Sequence, residues 1–599
     1  MKNNELFRLL ILSSILFASS CLGNTYSSHD WYLVGYGSFA QGENYSISTG
    51  IKLNKQDDGS FALKDVDFKI GDSFKLVSSS LEFDLTNKLS NDSQSLSTNN
   101  IYLDNGNIDI LKTGKYSITF EPNKENLIIS NGTGTGPNEK ATPAKTTIDF
   151  FAHGDQHGVT DEDNHGVAKW IQFVKEEMNA TVNEDVLISN GDLWQGTYSS
   201  NVNYGKMLTE VMSNAGYSSF TLGNHEFDWG EKNIISNKEI STVPFLGANV
   251  VNEESEKIVN YAQPYTIVEK GDLKIGIVGT IGKAQQTSIT STCIENVKFN
   301  DEINTSIKYA EKLRKEFGCH MVIGSFHAGS SQIVNYLDKL SGEDDYSKRY
   351  FDGVFAAHDH QRDVEDNGYI PLANSGNNTT YLAHFALTYE NGKVTFSNNE
   401  AIPSRAESCS ADPIAKEIVD RYCTPEIKNK GKEKVGVVDQ TFSMTKEGPN
   451  LIAKSVFGKA KEINNEVCIS IVNSARANIY AGEVTYADVL DAIPFFNKTI
   501  IMKVKGADLT YNAKSNYYFS DDPYQTFDAN EEYVIAVFDY LAFHQSTSKK
   551  YDYFARSAPF EILNEIDTYP CDLVTEHMKQ SSDVIKLADY QTINFSFIK

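Results

Sequence analysis

The stretch Ser218-Ser219-Phe220-Thr221-Leu222-Gly223-Asn224-His225-Glu226-Phe227-Asp228-Trp229-Gly230 decides the fold. Its first five residues read as a strand, and at Gly223 the strand stops and delivers Asn224, His225, Glu226 and Asp228 together. Polar side chains placed where a strand ends are the signature of open α/β sheets, whose sites lie at the carboxyl ends of their strands. Four other stretches repeat the plan: Thr147 to Ala152 runs into Asp155-Gln156-His157, and Asp185 to Ser189 into Asn190-Gly191-Asp192. Met321 to Phe326 delivers His327, and Val354 to Ala357 delivers His358-Asp359-His360.

Working outward, apolar runs alternate with helical stripes. Val167, Trp170, Ile171, Val174 and Met178 share one helical face, as do Ile303, Ile307, Ala310, Leu313 and Phe317, the latter stopped by Gly318. That alternation predicts a parallel or mixed sheet covered by helices on both faces. One His-x-His carries little weight, because an isolated histidine is more often a satisfied core or surface residue. Five such segments in one domain point to metal. Asp, Asn and His suit zinc, manganese or iron, and an Asp bridges two cations about 3.5 to 4 Å apart. No cysteine belongs to the set, which argues against a structural zinc cage.

These residues resemble the calcineurin-like metallophosphoesterases, and Gly223 to Gly230 is similar to the 5′-nucleotidase branch. The resemblance takes in Leu246-Gly247-Ala248-Asn249-Val250 and Lys274-Ile275-Gly276-Ile277-Val278-Gly279, covers residues 147–400, and continues more weakly to the C-terminus. It implies a central four-layer α/β domain, two packed mixed sheets flanked by helices. It also implies that Asp155, His157, Asp192 and His360 surround one divalent metal, zinc or manganese, and that Asp192, Asn224, His327 and His358 surround a second, with Asp192 as bridge. Two such cations make hydroxide available from water near neutral pH and neutralise phosphate oxygens. His225 would protonate the leaving oxygen and Asp228 would fix its tautomer. His153 and Gly154 stand where the family has threonine and asparagine; His153 is expected behind the ligands or facing solvent, with metal binding preserved.

The resemblance extends to an α+β C-terminal domain that supplies a nucleoside pocket. Ala481 to Leu490 followed by Ile493-Pro494-Phe495 is similar to its core, so Phe495 and Tyr540 would be the two stacking walls. Asn473 and Arg476 match the phosphate-side pair. Three departures bear on specificity: Ser474-Ala475 is shorter than the family's glycine-rich stretch, residues 445–450 offer no upstream arginine, and Phe543-His544-Gln545 replaces a Gly-Gly-Asp-Gly turn that holds the ribose. Losing that carboxylate costs about 1 to 3 kcal/mol of ribose recognition unless His544 or Gln545 substitutes.

The chain therefore divides into a signal segment (1–21), a small β-sandwich (25–130), a linker (131–145), the metallophosphoesterase domain (146–405), a linker helix (406–432) that is a candidate hinge, and the 5′-nucleotidase-type domain (433–599). The sandwich is read from alternation such as Phe61, Leu63, then Val66, Phe68, Ile70, with turns at Asp58-Gly59 and Gly71-Asp72. Trp31, Tyr32 and Tyr36 are expected in its core, with a carbohydrate-binding platform as the alternative. Lys2 and Arg8 precede an apolar run too short to span a bilayer, and Ala18-Ser19-Ser20-Cys21 follows it, so export is expected, with lipid attachment at Cys21 or simple secretion to the periplasm or medium. The six later cysteines pair or stay as buried thiols; spacing does not decide.

Eighty acidic against fifty-four basic side chains give a formal charge of -26, which disfavours nucleic acid polymers and anionic lipid as partners. The expected partner is a nucleotide or other small phosphoester. Hydrolysis of nucleoside 5′-phosphates is the first reading; a phosphodiesterase or nucleotide-sugar hydrolase, and a surface glycan-binding lipoprotein with secondary phosphatase activity, are the alternatives. A purely adhesive descendant should have lost metal ligands, and every ligand position here is filled.

Overall fold

A computed structural model of the chain describes residues 29–39, 46–79, 101–104, 107–122, 126–131, 143–159, 166–181, 183–343, 345–512, 517–522, 524–544, 553–581, 583–591 and 596–598. The signal segment with Cys21, most of the linker, and Gln545 lie outside the described residues.

Between residues 29 and 131 a five-stranded and a four-stranded antiparallel sheet share one core, in which Trp31, Phe61, Phe68, Phe74, Tyr116 and Phe120 meet. The alternation that slips between Leu63 and Val66 is a bulge in the strand Phe61–Phe68, with Asp65 in the left-handed region at φ 55°. Trp31 is fully buried with its ring 4.6 Å from Phe120, Tyr36 is buried, and Tyr32 is half-buried, so the three form no exposed platform. The carbohydrate alternative for these aromatics is thereby corrected: their apolar area is spent inside the sheets.

The central region holds two six-stranded mixed sheets. In the first, Phe245–Leu246, Tyr217–Thr221, Glu184–Ser189 and Thr146–His153 run parallel, and Tyr381–Glu390 and Lys393–Pro403 complete the edge antiparallel. In the second, Leu273–Ile281, Met321–His327, Gly353–Ala356 and Pro371–Ser375 are parallel between antiparallel edges. Ile148, Phe150, Ile188, Ile275, Ile323 and Phe385 fill the space between the sheets. The helix Val167–Ala180 covers the outer face of the first sheet, and Glu302–Lys315 that of the second. Strands buried on both faces read as near-continuous apolar runs, and Met321–His327 is buried throughout. The parallel strands of each sheet end together, and Thr221 Oγ1 meets Ser325 Oγ at 2.6 Å across the two sheets, so both sets deliver their following loops to one rim.

The expected linker helix is two helices. Pro413–Tyr422, capped by Asp412, packs Ala415, Ile418 and Val419 into the first sheet's outer core; Pro425–Gly431, capped by Thr424, follows after a break. Pro425 cannot donate to the preceding turn, so the chain restarts there. Beyond it a five-stranded sheet, Tyr517–Phe519, Val467–Val472, Glu532–Phe538, Thr499–Lys505 and Glu561–Ile566, packs against the helix Glu447–Ile463, which in turn packs on Pro570–Gln580. Cys293, Cys319, Cys409, Cys423, Cys468 and Cys571 are all free thiols.

Candidate metal centre and substrate cleft

At the rim the predicted ligands assemble into two groups, Asp155 with His157 and His360, and Asp192 with His327 and His358; within each, the donor atoms lie within 4.8 Å of one another. Ligands about 2.0 to 2.2 Å from a common cation stand no more than about 4.4 Å apart, so both groups are near the size that one ion draws together. Asn224 joins the second group, its Oδ1 lying 2.9 Å from His358 Nδ1 and 3.3 Å from His327 Nε2.

The backbone is bent to achieve this. Asp155, His157, Asp192, His358 and His360 all have φ between 52° and 78°, a region that side-chain-bearing residues rarely occupy and that clusters at functional sites. Gly223 permits a close approach to two ligands: a Cβ there would come 2.3 Å from Asp192 Oδ1 and 2.7 Å from His327 Cε1.

Tautomers follow from the surroundings. His327 Nδ1 donates to the carbonyl of Asn190 at 2.8 Å and His157 Nδ1 to that of Gln195 at 3.3 Å, so in each ring the Nε2 lone pair turns inward. His157 Nε2 meets His360 Nε2 at 2.9 Å, and Asp155 Oδ1, buried and without a hydrogen-bond partner, sits 4.0 Å and 3.7 Å from the same two nitrogens. Burial holds His157 well below the ordinary imidazole pKa and pushes His358 down to about 4, the neutral state in which imidazole ligates. Burial, reinforced by the charge of Asp192, pushes Asp155 up to about 8, whereas at His327 burial is outweighed by Asp192, which raises it to about 10. Without cations, protons on Asp155 and His327 answer the shortage of positive charge among these donors, and one Asp155 oxygen stays orphaned: the residues fit a pair of divalent cations, whose binding displaces those protons.

Behind the second group stands Glu226, fully buried. Its carboxylate accepts from the backbone N–H of Asp192 at 2.8 Å, Leu193 at 2.8 Å and Gly223 at 2.7 Å, tying the two ligand-bearing loops together.

His225 lies over this floor. Its N–H donates to Asp192 Oδ1 at 2.8 Å, its Nδ1 bonds Asp228 Oδ2 at 2.7 Å, and Arg476 Nη2 approaches its Nε2 at 2.9 Å. An arginine keeps its protons, so Nε2 accepts and the ring is the neutral Nδ1–H tautomer. Burial lowers the His225 pKa, yet Asp228 and Asp192 outweigh it and leave it above the ordinary value, with Arg476 opposing them.

Arg476 comes from the C-terminal domain, as do Asn473, Phe495 and Tyr540, and all four line one cavity of ≈260 Å³ with Asp192, Asn224, His225, Asp228, His358 and His360. The guanidinium also sits 5.3 Å over the Phe495 ring. Every predicted substrate-side residue thus reaches the cleft that holds the predicted catalytic pair. Ser288, Thr290 and Asn497 line it too and were not foreseen; Asn497 follows Phe495 by two residues, and Ser288 and Thr290 carry no pattern a sequence reveals. Of the two expectations for His153 the solvent-facing one is corrected: it is buried, T-shaped against Trp170, and bonded to Tyr217 Oη at 2.5 Å, so it packs under the helix Val167–Ala180. His544 stacks on Tyr553 at 3.9 Å.

Comparison with known proteins agrees. The family model described as calcineurin-like phosphoesterase matches residues 149–362, and that described as 5′-nucleotidase, C-terminal domain, matches residues 435–512. The chain is 23% identical over 380 residues to the trifunctional nucleotide phosphoesterase protein YfkN of Bacillus subtilis (strain 168), covering 56% of this chain and 25% of that protein, so it spans a quarter of that relative's length. It is 25% identical over 418 residues to a 5′-nucleotidase of Diplobatis ommata, covering 62% of this chain and 70% of that one. The solved 5′-nucleotidase precursor from Thermus thermophilus superposes with a TM-score of 0.62 at 16% identity over 76% of this chain and 99% of that chain, a likeness of fold. With a phosphoesterase domain that carries both metal-ligand groups and a 5′-nucleotidase C-terminal domain, the chain belongs to the 5′-nucleotidase family of metallophosphoesterase hydrolases.

Proposed function

We propose that the protein hydrolyses nucleoside 5′-phosphates to nucleoside and phosphate outside the cytoplasm. The observation that carries this reading is the single cavity in which Phe495, Tyr540 and Arg476 of one domain face His225 and the ligand groups of the other. Asp155, His157 and His360 would hold one divalent cation, zinc or manganese, and Asn224, His327 and His358 a second, with Asp192 shared. Bound there, the pair supplies Lewis-acid charge to the phosphoryl oxygens and to water.

The chain's own groups do the rest. Arg476 turns from His225 Nε2 to a phosphate oxygen when substrate enters, with Asn473 beside it. Freed of the guanidinium, His225, its Nδ1 held by Asp228, takes a proton at Nε2 and gives it to the leaving ester oxygen. Phe495 and Tyr540 hold the base. Export rests on Lys2, Arg8 and the apolar run before Cys21, with lipid attachment there as its cell-surface form and periplasmic or secreted protein as the other. The residue 29–131 sheets are read as an appended small β-sandwich, and the boundaries 146–405, 406–432 and 433–599 as the working domains. A nucleotide-sugar or phosphodiester substrate is favoured by one feature, Phe543-His544-Gln545 where a ribose-holding carboxylate would be.

The test is Phe495→Ala. Loss of one base stack worth about 1 to 3 kcal/mol raises KM for AMP by roughly 5- to 150-fold while leaving a small alkyl phosphate unaffected. Equal effects on both substrates would remove the nucleoside pocket from the account.

A further inference from the structure

His358-Asp359-His360 sends two different side chains to the two metal groups from one turn. His358 Nδ1 points at Asn224 Oδ1 in the second group, and His360 Nε2 at His157 Nε2 in the first, two residues apart with φ of 78° and 58°. Residues in that region hold it only where neighbours over-determine them. Between the two histidines stands a carboxylate that neither the mechanism nor the ligand groups use.

Asp359 is pegged from two directions. Its Oδ1 accepts from Asn374 Nδ2 at 2.9 Å and from the backbone N–H of Gln361 at 3.3 Å; its Oδ2 lies 3.1 Å from Ser330 Oγ, whose single proton it shares with Asp363. Asn374 is fully buried in the strand Pro371–Ser375, and Ser330, also buried, opens the short helix Ser330–Ile333. Gly329 makes room, since a Cβ there would come 2.8 Å from Asp359 Oδ2. The turn is therefore fastened through the Asp359 side chain to a strand of the second sheet and to a short neighbouring helix.

We propose that Asp359 is the positioning residue that holds His358 and His360 on their separate metal groups at once, so that both ions depend on one peg. The proposal rests on the two-cation reading of the site. Groups behind metal ligands set ligand orientation, and losing one typically weakens metal binding roughly 10- to 100-fold. A peg common to both histidines weakens both sites together.

The test is zinc and manganese titration of the full chain, stripped of metal, against a chromophoric chelator, for wild type, Asp359→Ala, Asp359→Asn and Asn374→Ala. Asp359→Ala is expected to weaken both sites by roughly 10- to 100-fold. Asp359→Asn, which keeps a carbonyl for Asn374 Nδ2, is expected to lose less, and excess metal is expected to restore kcat for both. Wild-type affinity at both sites in Asp359→Ala, or weakening of one site alone, would overturn the proposal. Should Asp359→Ala fail to fold, as thermal melting of the metal-free protein reports, Asn374→Ala supplies the readout, and its wild-type affinity at either site has the same meaning. Wild-type protein that takes up fewer than two ions would instead sink the two-cation reading beneath it.

Discussion

His225 is held by partners that make opposite demands on its ring: Asp228 accepts a proton from Nδ1, while Arg476 offers one to Nε2. Asp228→Asn keeps the shape and removes the charge that orients the ring and raises its pKa. We expect kcat to fall by about 10²- to 10⁴-fold, with KM and metal content unchanged; an equal rise in KM would mean that Asp228 shapes the cleft and does not serve the proton. At this scale the sequence is most readable where chemistry sits directly after an apolar run, as in Asp155, Asp192, Asn224, His327 and His358. Glu226, Asp359 and Asn497 lie within the quoted or adjacent segments, but their roles depend on which backbone amides and side chains the fold brings to them. His153 shows the converse: a histidine two residues from a ligand that folding turns into the core.

Among the elements, strand order sets the site, because the parallel strands of two sheets end on one rim and the loops need only be short. The edge of the first sheet is fastened by a different device. His384 on Tyr381–Glu390 bonds Asp149 Oδ1 at 2.7 Å and Glu400 Oε1 at 3.1 Å, stitching Thr146–His153 and Lys393–Pro403 to it. Burial lowers the His384 pKa, but the hydrogen bonds and charges of Asp149 and Glu400 outweigh it and raise it above the ordinary value. A raised folded pKa gives stability that is whole below about pH 6.5, the unfolded value, and lost as pH rises through the folded one. His384→Gln is therefore expected to cost about 1 to 3 kcal/mol in urea unfolding at pH 6 and less at pH 9; a cost that grows with pH would contradict this. Helical stripes and strand runs are legible here because burial imposes their periods. The break at Thr424-Pro425 escapes that reading, since the stripe on either side reads as one helix until the proline's missing donor is counted.

Over the whole molecule, the cleft is composite and the N-terminal sheets are not a free appendage. Arg476, Phe495 and Tyr540 reach the metal loops because Tyr198 N–H donates to Asp491 Oδ1 at 2.8 Å and Asn201 Nδ2 to the carbonyl of Pro494 at 2.8 Å across the two domains. The N-terminal sheets are joined to the central domain by Ile70 and Leu111 in its outer core and by a buried ion pair, Lys312 Nζ to Asp109 Oδ2 at 2.7 Å. Breaking such a pair costs about 3 to 5 kcal/mol, so Asp109→Ala should lower the melting temperature of the central domain as well; a melt changed only in a separate early transition would show the sheets to be independent. None of these junctions is readable beforehand, because a surface match between domains leaves no period in either sequence. The central claim is metal-dependent hydrolysis of nucleotides in the composite cleft. It is tested most directly by phosphate release from AMP by the metal-stripped protein, with and without added manganese or zinc, beside Asp192→Asn. The account predicts no release without metal, restored release with it, and loss of activity in Asp192→Asn; undiminished release from the stripped protein or from the variant would contradict it.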